Sequence, residues 1–510
     1  MKPYLCLLVF TLSLSAQITV EGDIVDSTTG APIAGAQVAF NTADAAKPTA
    51  ATDSAGHFRL TGSLPSGAPL LVSHIGYIMS GSQVHYEPGA NSVKVRLELV
   101  PEAVISGKLE DADGFSVAGA AVCAVLYSLV KGQRIPQREQ IAISSSLGEY
   151  RIANLPPGRY YVRAAARNSN WDSRYSPAYY PGTPDPRESD LVVVHTGQQR
   201  GDVNIHLSKS EGVSLAGRVL TPAGAHTPRQ VSLQTQDFVD LTTFTYTSVG
   251  PDGSFLFRHV HPGSYTRRNL AGSNPPKAGE LWAEQAIQVG SSDVSGVTLA
   301  LQPATLQDVS GTLVFQDSSK PAPLSVLLIG TYPGTHVTAF YRTASTMSSA
   351  DGSFVVRGLP PGHYDIAVRP FIVNVGTQYL SLLSAQLGSQ EVAESGFDIG
   401  DTPPATVRIM LSTNAVPVTG RIVDAAGQPA ARAALLFVAT PGDKSTYTSA
   451  GLLGRFNLFL LAGDYRVYAL RDLNLPATFD NPAYLAAHAN DFPPVHVAAG
   501  VNPPINLKLR

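Results

Sequence analysis

The chain has 510 residues, 44% of them hydrophobic and 15% charged, with 45 glycines and 38 prolines. That composition supplies apolar cores and many turns in place of long helices. Its 36 basic and 39 acidic residues form no long run of either sign, which leaves no electrostatic footprint and excludes nucleic acid and anionic lipid as partners.

The N-terminal stretch "MKPYLCLLVFTLSLSAQ" has one basic residue, an apolar run from Tyr4 to Leu14, and small residues at Ser13, Ser15 and Ala16. This pattern predicts a secretory signal over 1–16 and a mature chain that begins near Gln17. The run is too short for a bilayer, which needs about 20 apolar residues, and no later stretch is apolar enough, so no membrane span is predicted. No cysteine follows the small residues, which argues against a lipid anchor. Cys6 leaves with the signal, so Cys123 is alone in the mature chain and no internal disulfide forms. In "GAAVCAVLYSLV" it reads as a small buried hydrophobe.

From residue 17 onward the sequence repeats. Each repeat opens on a glycine-centred strand: "VEGDIVD" around Gly22, "ISGKLED" around Gly107, "LAGRVLT" around Gly217, "VSGTLVF" around Gly311 and "VTGRIVD" around Gly420. In most copies a turn leads into a second strand, as in "STTGAPIAGAQVAF", "DADGFSVAGAAVCAV" and "DAAGQPAARAALLFV". A third segment, "GEYRIANLPPGRYYVRA" in the second repeat and "GSFVVRGLPPGHYDIAV" in the fourth, has looser copies beginning at Gly56, Gly253 and Gly454. Each repeat closes on a period-two strand: "VKVRLEL", "VNIHLSK", "VTLALQP", "VRIMLST" and "INLKLR". The expected units are 17–101, 102–210, 211–304, 305–414 and 415–510.

The third segment is read as turn chemistry. Asp252-Gly253 and Asp351-Gly352 place an Asx-type residue before a glycine that takes positive φ, after which Tyr150 or Phe354 faces the core. Pro157-Gly158 and Pro361-Gly362 are expected to form type II turns with glycine at the positive-φ position. Tyr160 and Tyr364 then restart a strand, and their hydroxyls need partners once buried. A polyproline-ligand reading is set aside, because two prolines make less than one turn of that helix. Short strands at regular spacing with Gly/Pro turns predict a β-sandwich in each unit.

The pairing of "GDIVDSTTGAPIAGAQV" with "TDSAGHFRL", and of "SGKLEDADGFSVAGAAV" with "SLGEYRIANLPPGRYYV", resembles the carboxypeptidase regulatory-like domain. That is a transthyretin-like sandwich, similar also to Cna B-type and starch-binding-like folds. Units one, two and five fit well, units three and four have weaker second strands, and unit one ends its motif in "LLVSHIGY". The resemblance implies an all-β chain, a tandem array of five transthyretin/Ig-like Greek-key β-sandwiches after the signal peptide. It covers nearly the whole mature chain and leaves no room for a separate peptidase or membrane barrel.

The sequence holds no HExxH and no His-x-x-Glu pair of the zinc-carboxypeptidase kind, so no enzyme activity, cofactor or metal is expected. His259 and His261 in "RHVHPG" have a spacing that could hold a metal, but no third ligand is near in sequence and His261 replaces a turn proline. "EDADG" at Glu110 to Gly114 resembles a calcium loop without the further acidic positions, and reads as an ordinary turn. The Cna B-type resemblance implies a cross-link in unit two between Lys108 and Asn204 with Glu149 as the acid. The corresponding opening-strand positions hold Asp23, Arg218, Thr312 and Arg421, so no general cross-link is implied.

The most unusual local composition is "NWDSRYSPAYYPGTPDP", with Trp171, Tyr175, Tyr179 and Tyr180 among small residues and prolines. Exposed aromatics of this kind stack on sugar rings, and they are the expected ligand-binding residues. The alternative is that they cover the core of unit two. Tyr484 in "FDNPAYLAAHANDFPP" of unit five favours a shared packing role. The expectation is a non-catalytic protein, secreted, periplasmic or on the outer cell surface, whose partner is a polysaccharide or an envelope or extracellular protein. The second expectation is an accessory or regulatory subunit of a secreted hydrolase or an outer-membrane transporter.

Overall fold

The computed structural model describes residues 17–509 outside 41–47, 64–67, 79, 85–89, 131–132, 166–174, 186–187, 211, 236–243, 270–276, 317–323, 332–342, 371–379, 441–444, 471–486, 488–489, 491 and 493. The signal segment therefore lies outside the described residues. The described residues from Gln17 to Glu102 belong to one compact body, and the sandwiches that follow belong to a second.

Each unit builds two sheets on one plan. In unit one the opening strand Gln17–Asp26 is central, paired antiparallel with His57–Ser63 and parallel with the closing strand Ser92–Leu99. The second sheet runs Thr49–Ala51, Gln37–Phe40, Ala68–Ser73, Ser80–Val84. The same arrangement recurs around Ala103–Asp111, Val213–Leu220, Gln307–Phe315 and Val416–Val423. Each pair of sheets encloses its own apolar cluster. Alternation does this directly. In Gln307–Phe315, Val309, Gly311, Leu313 and Phe315 point inward while the residues between them face out.

The opening-strand glycines stand on that inward face. Opposite them in register lie Phe58, Tyr150, Phe255, Phe354 and Phe456. A Cβ on Gly22, Gly217, Gly311 or Gly420 would fall 2.2, 2.2, 2.4 or 2.3 Å from a closing-strand carbonyl oxygen, and one on Gly107 2.0 Å from the Val203 carbonyl oxygen just before the closing strand Ile205–Leu207. The missing side chain is the space that the closing strand and the facing ring occupy. Burying each ring contributes about 1.5–3 kcal/mol.

The glycine that begins the third segment takes positive φ in all five units: 75° at Gly56, 72° at Gly148, 82° at Gly253, 84° at Gly352 and 68° at Gly454. Its carbonyl accepts the N–H of Ile24, Leu109, Val219, Leu313 or Ile422 on the opening strand, at 2.7–2.9 Å. One bond thus fixes the same register five times.

The second turn differs from expectation. Gly158 does not take positive φ, and Gly263, Gly362 and Gly463 at the same place sit at 157°, 153° and 155°, close to extended and far from the roughly +80° of a type II turn. What closes this corner is the tyrosine. The hydroxyls of Tyr160, Tyr265, Tyr364 and Tyr465 donate to the carbonyls of Pro156, His261, Pro360 and Leu461, four residues back, at 2.8, 2.8, 2.7 and 2.9 Å. The strain lies earlier, at a bulge four residues before the glycine, where Asn154, His259 and Gly358 adopt φ of 57°, 56° and 71° and the pairing register shifts. Asparagine, histidine and glycine are the residue types that tolerate this region. Asn154→Val should therefore destabilise unit two by about 1–2 kcal/mol relative to Asn154→Gly, read as a difference in denaturation midpoints.

Candidate functional site

The aromatic segment of unit two lies along the free side of the closing strand. Pro181 accepts the N–H of His206 at 2.9 Å, and Ser176 donates its N–H to Ser208 at 3.0 Å. Trp171 lies outside the described residues, as does Tyr484 of unit five. Tyr175 is half-buried against the main core and donates its hydroxyl to Asp111 Oδ2 at 3.1 Å. Tyr179, 8% exposed, meets the ring of Tyr161 edge-on at 6.2 Å. With Cys123 and Val125 these two form a small second core on the outer face of the second sheet. Tyr180 packs partly buried against the main core. The three described tyrosines are thus held by packing, Tyr175 and Tyr180 against the main core of unit two and Tyr179 in the small second core.

Asp111 ends the opening strand and organises the turn after it. Its Oδ1 accepts the N–H groups of Asp113 and Phe115 at 3.0 and 2.9 Å, while Oδ2 takes Tyr175 and the Lys209 ammonium, the latter at 3.1 Å. Lys209 also bonds Asp113 and lies 6.0 Å from the Phe115 ring centroid. In the calcium-like "EDADG" stretch a lysine ammonium therefore bridges Asp111 and Asp113. Burial pushes the Asp111 carboxyl up, but the Phe115 N–H, Lys209, Tyr175 and the Asp113 N–H outweigh it and hold the group below the ordinary carboxylate range.

A carboxyl whose folded pKa lies below its unfolded one stabilises the fold above the unfolded value, and that stabilisation disappears as pH falls through the folded pKa. Unit two should lose stability below about pH 4. Asp111→Asn should be less stable at neutral pH and nearly flat across that window, so denaturation midpoints of the two proteins should converge in acid.

Sequence reasoning missed this aspartate–tyrosine tie. Unit one repeats it: Asp26 Oδ1 caps Thr28 and Thr29 at 2.7 and 2.8 Å, and Oδ2 accepts the Tyr77 hydroxyl at 2.9 Å. The available signal is an aspartate that ends the opening strand together with a tyrosine ahead of the closing strand.

Lys108 and Glu149 face each other across the pairing of the opening and third-segment strands. Both are exposed, on an open groove that Asn204 and Ile143 also line. The Asn204 side-chain oxygen accepts the backbone N–H of Lys108 at 2.9 Å, so it serves the strand pairing. His259 is the bulge residue of unit three. His261 supplies the carbonyl that Tyr265 uses, and its Nδ1 lies 3.4 Å from Ser176 Oγ. Burial lowers the His261 pKa. Among the described residues no three His, Cys, Asp or Glu side chains gather as a metal-binding group. His363 with Asp398 and His496 with Asp464 are cross-strand pairs at 2.8 and 2.7 Å on equivalent strands of units four and five, the second exposed and the first with its imidazole half-buried. No described helix is long and apolar enough to cross a membrane.

Among solved structures the chain is similar to a streptococcal ancillary pilin, at 13% identity over 61% of this chain and 98% of that one, TM-score 0.21. It is similar to BcpA, the major pilin subunit of Bacillus cereus, at 8% identity over 56% of this chain and 100% of that one, TM-score 0.15. GBS52, the minor pilin of Streptococcus agalactiae, matches at 13% identity over 38% and 96%, TM-score 0.21. No curated protein matches the chain. The family found in the chain is the carboxypeptidase regulatory-like domain, at residues 19–99, which is unit one.

Proposed function

We propose that this multi-domain β-sandwich protein is a non-catalytic scaffold, exported by its N-terminal signal and working at the cell envelope or outside the cell. The supporting observation is how its reactive side chains are used. Asp26 and Asp111 hold turns, Lys209 neutralises Asp111, and Tyr160, Tyr265, Tyr364 and Tyr465 tie the same corner in four units. The regulatory-like domain matched in unit one is a non-catalytic module, which agrees with this reading.

The proposed ligand class is an envelope polysaccharide. Tyr175, Tyr179 and Tyr180 have packing roles, so sugar stacking in this segment falls to Trp171 and the exposed part of Tyr180. A glycan array probed with the exported chain tests this. Retention on a polysaccharide that Trp171→Ala abolishes, at unchanged melting temperature, is the expected result. Absence of retention, with a secreted hydrolase or an outer-membrane transporter co-purifying instead, would replace the polysaccharide reading by the accessory-subunit one.

A further inference from the structure

The closing strand of every unit pairs with the opening strand on one side, and the units differ in what covers its other side. In unit four the strand Ser381–Leu387 lies antiparallel along it, setting Leu387, Ala385 and Leu382 opposite Val407, Ile409 and Leu411. Those three are 1%, 0% and 1% exposed. In unit two the segment around Ser176 and Pro181 does the covering, and Val203, Ile205 and Leu207 are buried.

Unit one covers only the far end, through the bonds of Ile78 N–H to Val100 and of Glu102 N–H to Gly76, both 2.9 Å. From Ser92 to Leu97 no described strand pairs with the outer side. Val95 stands opposite Gly22 as Val407 stands opposite Gly311, yet Val93, Val95 and Leu97 are only half-buried. Other uncovered edges are less suitable for pairing. The unit-three edge is broken by a register shift and by Gly296 at φ 72°, and the unit-five strand Ile505–Lys508 is four residues long.

Charge on the outer face says what fits. Rows across the sheet place a carboxylate between two nitrogen-bearing side chains: Arg59, Glu21, Lys94 in one and His57, Asp23, Arg96 in the next. Arg59 pairs with Glu21 at 3.1 Å and His57 with Asp23 at 3.2 Å. Lys94 and Arg96 end the rows exposed, with no ion pair among the described residues. We propose that the Ser92–Leu99 edge receives an extended peptide segment of a partner protein as an added antiparallel strand. Its apolar residues would continue the inward column of Val93, Val95 and Leu97, and acidic residues two apart would extend the two charge rows. Main-chain hydrogen bonds would supply affinity and the alternation specificity. This inference rests on unit one alone and stands or falls separately from the polysaccharide reading.

The test uses the exported chain with two synthetic peptides, TVEVEVT and TVKVKVT, followed by hydrogen exchange. The glutamate peptide should slow exchange of amides in 92–98 and bind about tenfold more tightly than the lysine peptide, from two opposite-charge cross-strand pairs. Lys94→Gln with Arg96→Gln should erase that preference at unchanged melting temperature. Equal binding of the two peptides, or protection confined to other strands, would overturn the proposal. Protection of 92–98 without peptide, accompanied by a dimer in sedimentation, would overturn it in favour of a second copy of this chain. The comparison of peptides on the unaltered protein decides the matter even if the double variant misfolds.

Discussion

Gly107→Val should abolish the folding transition of unit two while the other units still unfold as they do in the parent chain. The new Cβ would lie 2.0 Å from the Val203 carbonyl oxygen and 2.5 Å from its carbon, so the backbone joining Gln199–Arg200 to Ile205–Leu207 has to move. Overpacking against a movable side chain costs about 1–3 kcal/mol, and displacing a paired strand costs more. A domain of ordinary stability, about 5–15 kcal/mol, loses a large share of it. Gly201→Ala is the matched control, because its Cβ would meet nothing nearer than Ser106 Oγ at 4.0 Å. Thermal unfolding followed by calorimetry should show one missing component in the first variant and none in the second.

Tyr364→Ala is expected to have the second largest effect, about 3–5 kcal/mol on unit four, by analogy with other large aromatic truncations. Tyr364 is wholly buried, and its hydroxyl is tied to the Pro360 carbonyl at 2.7 Å. Tyr364→Phe keeps the ring and removes only the bond, leaving a buried acceptor unsatisfied at about 1–3 kcal/mol. Tyr265→Phe should cost less, because Tyr265 is half-buried and water can reach its corner. If Tyr364→Phe were neutral in urea denaturation, the corner bond would be incidental to the fold.

The features legible in the sequence are those set by residue type at short range. Gly253 and Gly352 after aspartate, the inward Phe354, and the alternating closing strands follow from local rules of φ, pleat and burial. The parallel pairing of opening with closing strand was not legible, since it joins the two ends of each unit and no local pattern encodes it. The type II expectation failed at Gly158 because the corner is set by the bond from the Tyr160 hydroxyl to the Pro156 carbonyl together with the bulge at Asn154, a span longer than the Pro-Gly dipeptide that suggests the turn.

Unit three departs from the pattern after its corner tyrosine: on the strand Gly263–Asn269, Arg267 takes the inward position that Val162, Ile366 and Val467 hold elsewhere, and reaches the Thr298 carbonyl of the closing strand at 3.1 Å. For the aromatic segment, composition suggested either a sugar platform or a core cover. The packing of Tyr175 and Tyr179 depends on Asp111 and Tyr161, which lie 64 and 18 residues away in sequence.

The central claim is that one tying scheme is built five times, each with its own core. Native-state hydrogen exchange of the exported chain measures it directly. The amides of Ile24, Leu109, Val219, Leu313 and Ile422, each bonded to the glycine that starts its third segment, should be among the slowest in their own units, and Gly107→Val should collapse protection at Leu109 while Ile24 keeps its own. Fast exchange at these five amides in the folded protein, or loss of protection at Ile24 together with Leu109 in that variant, would contradict it.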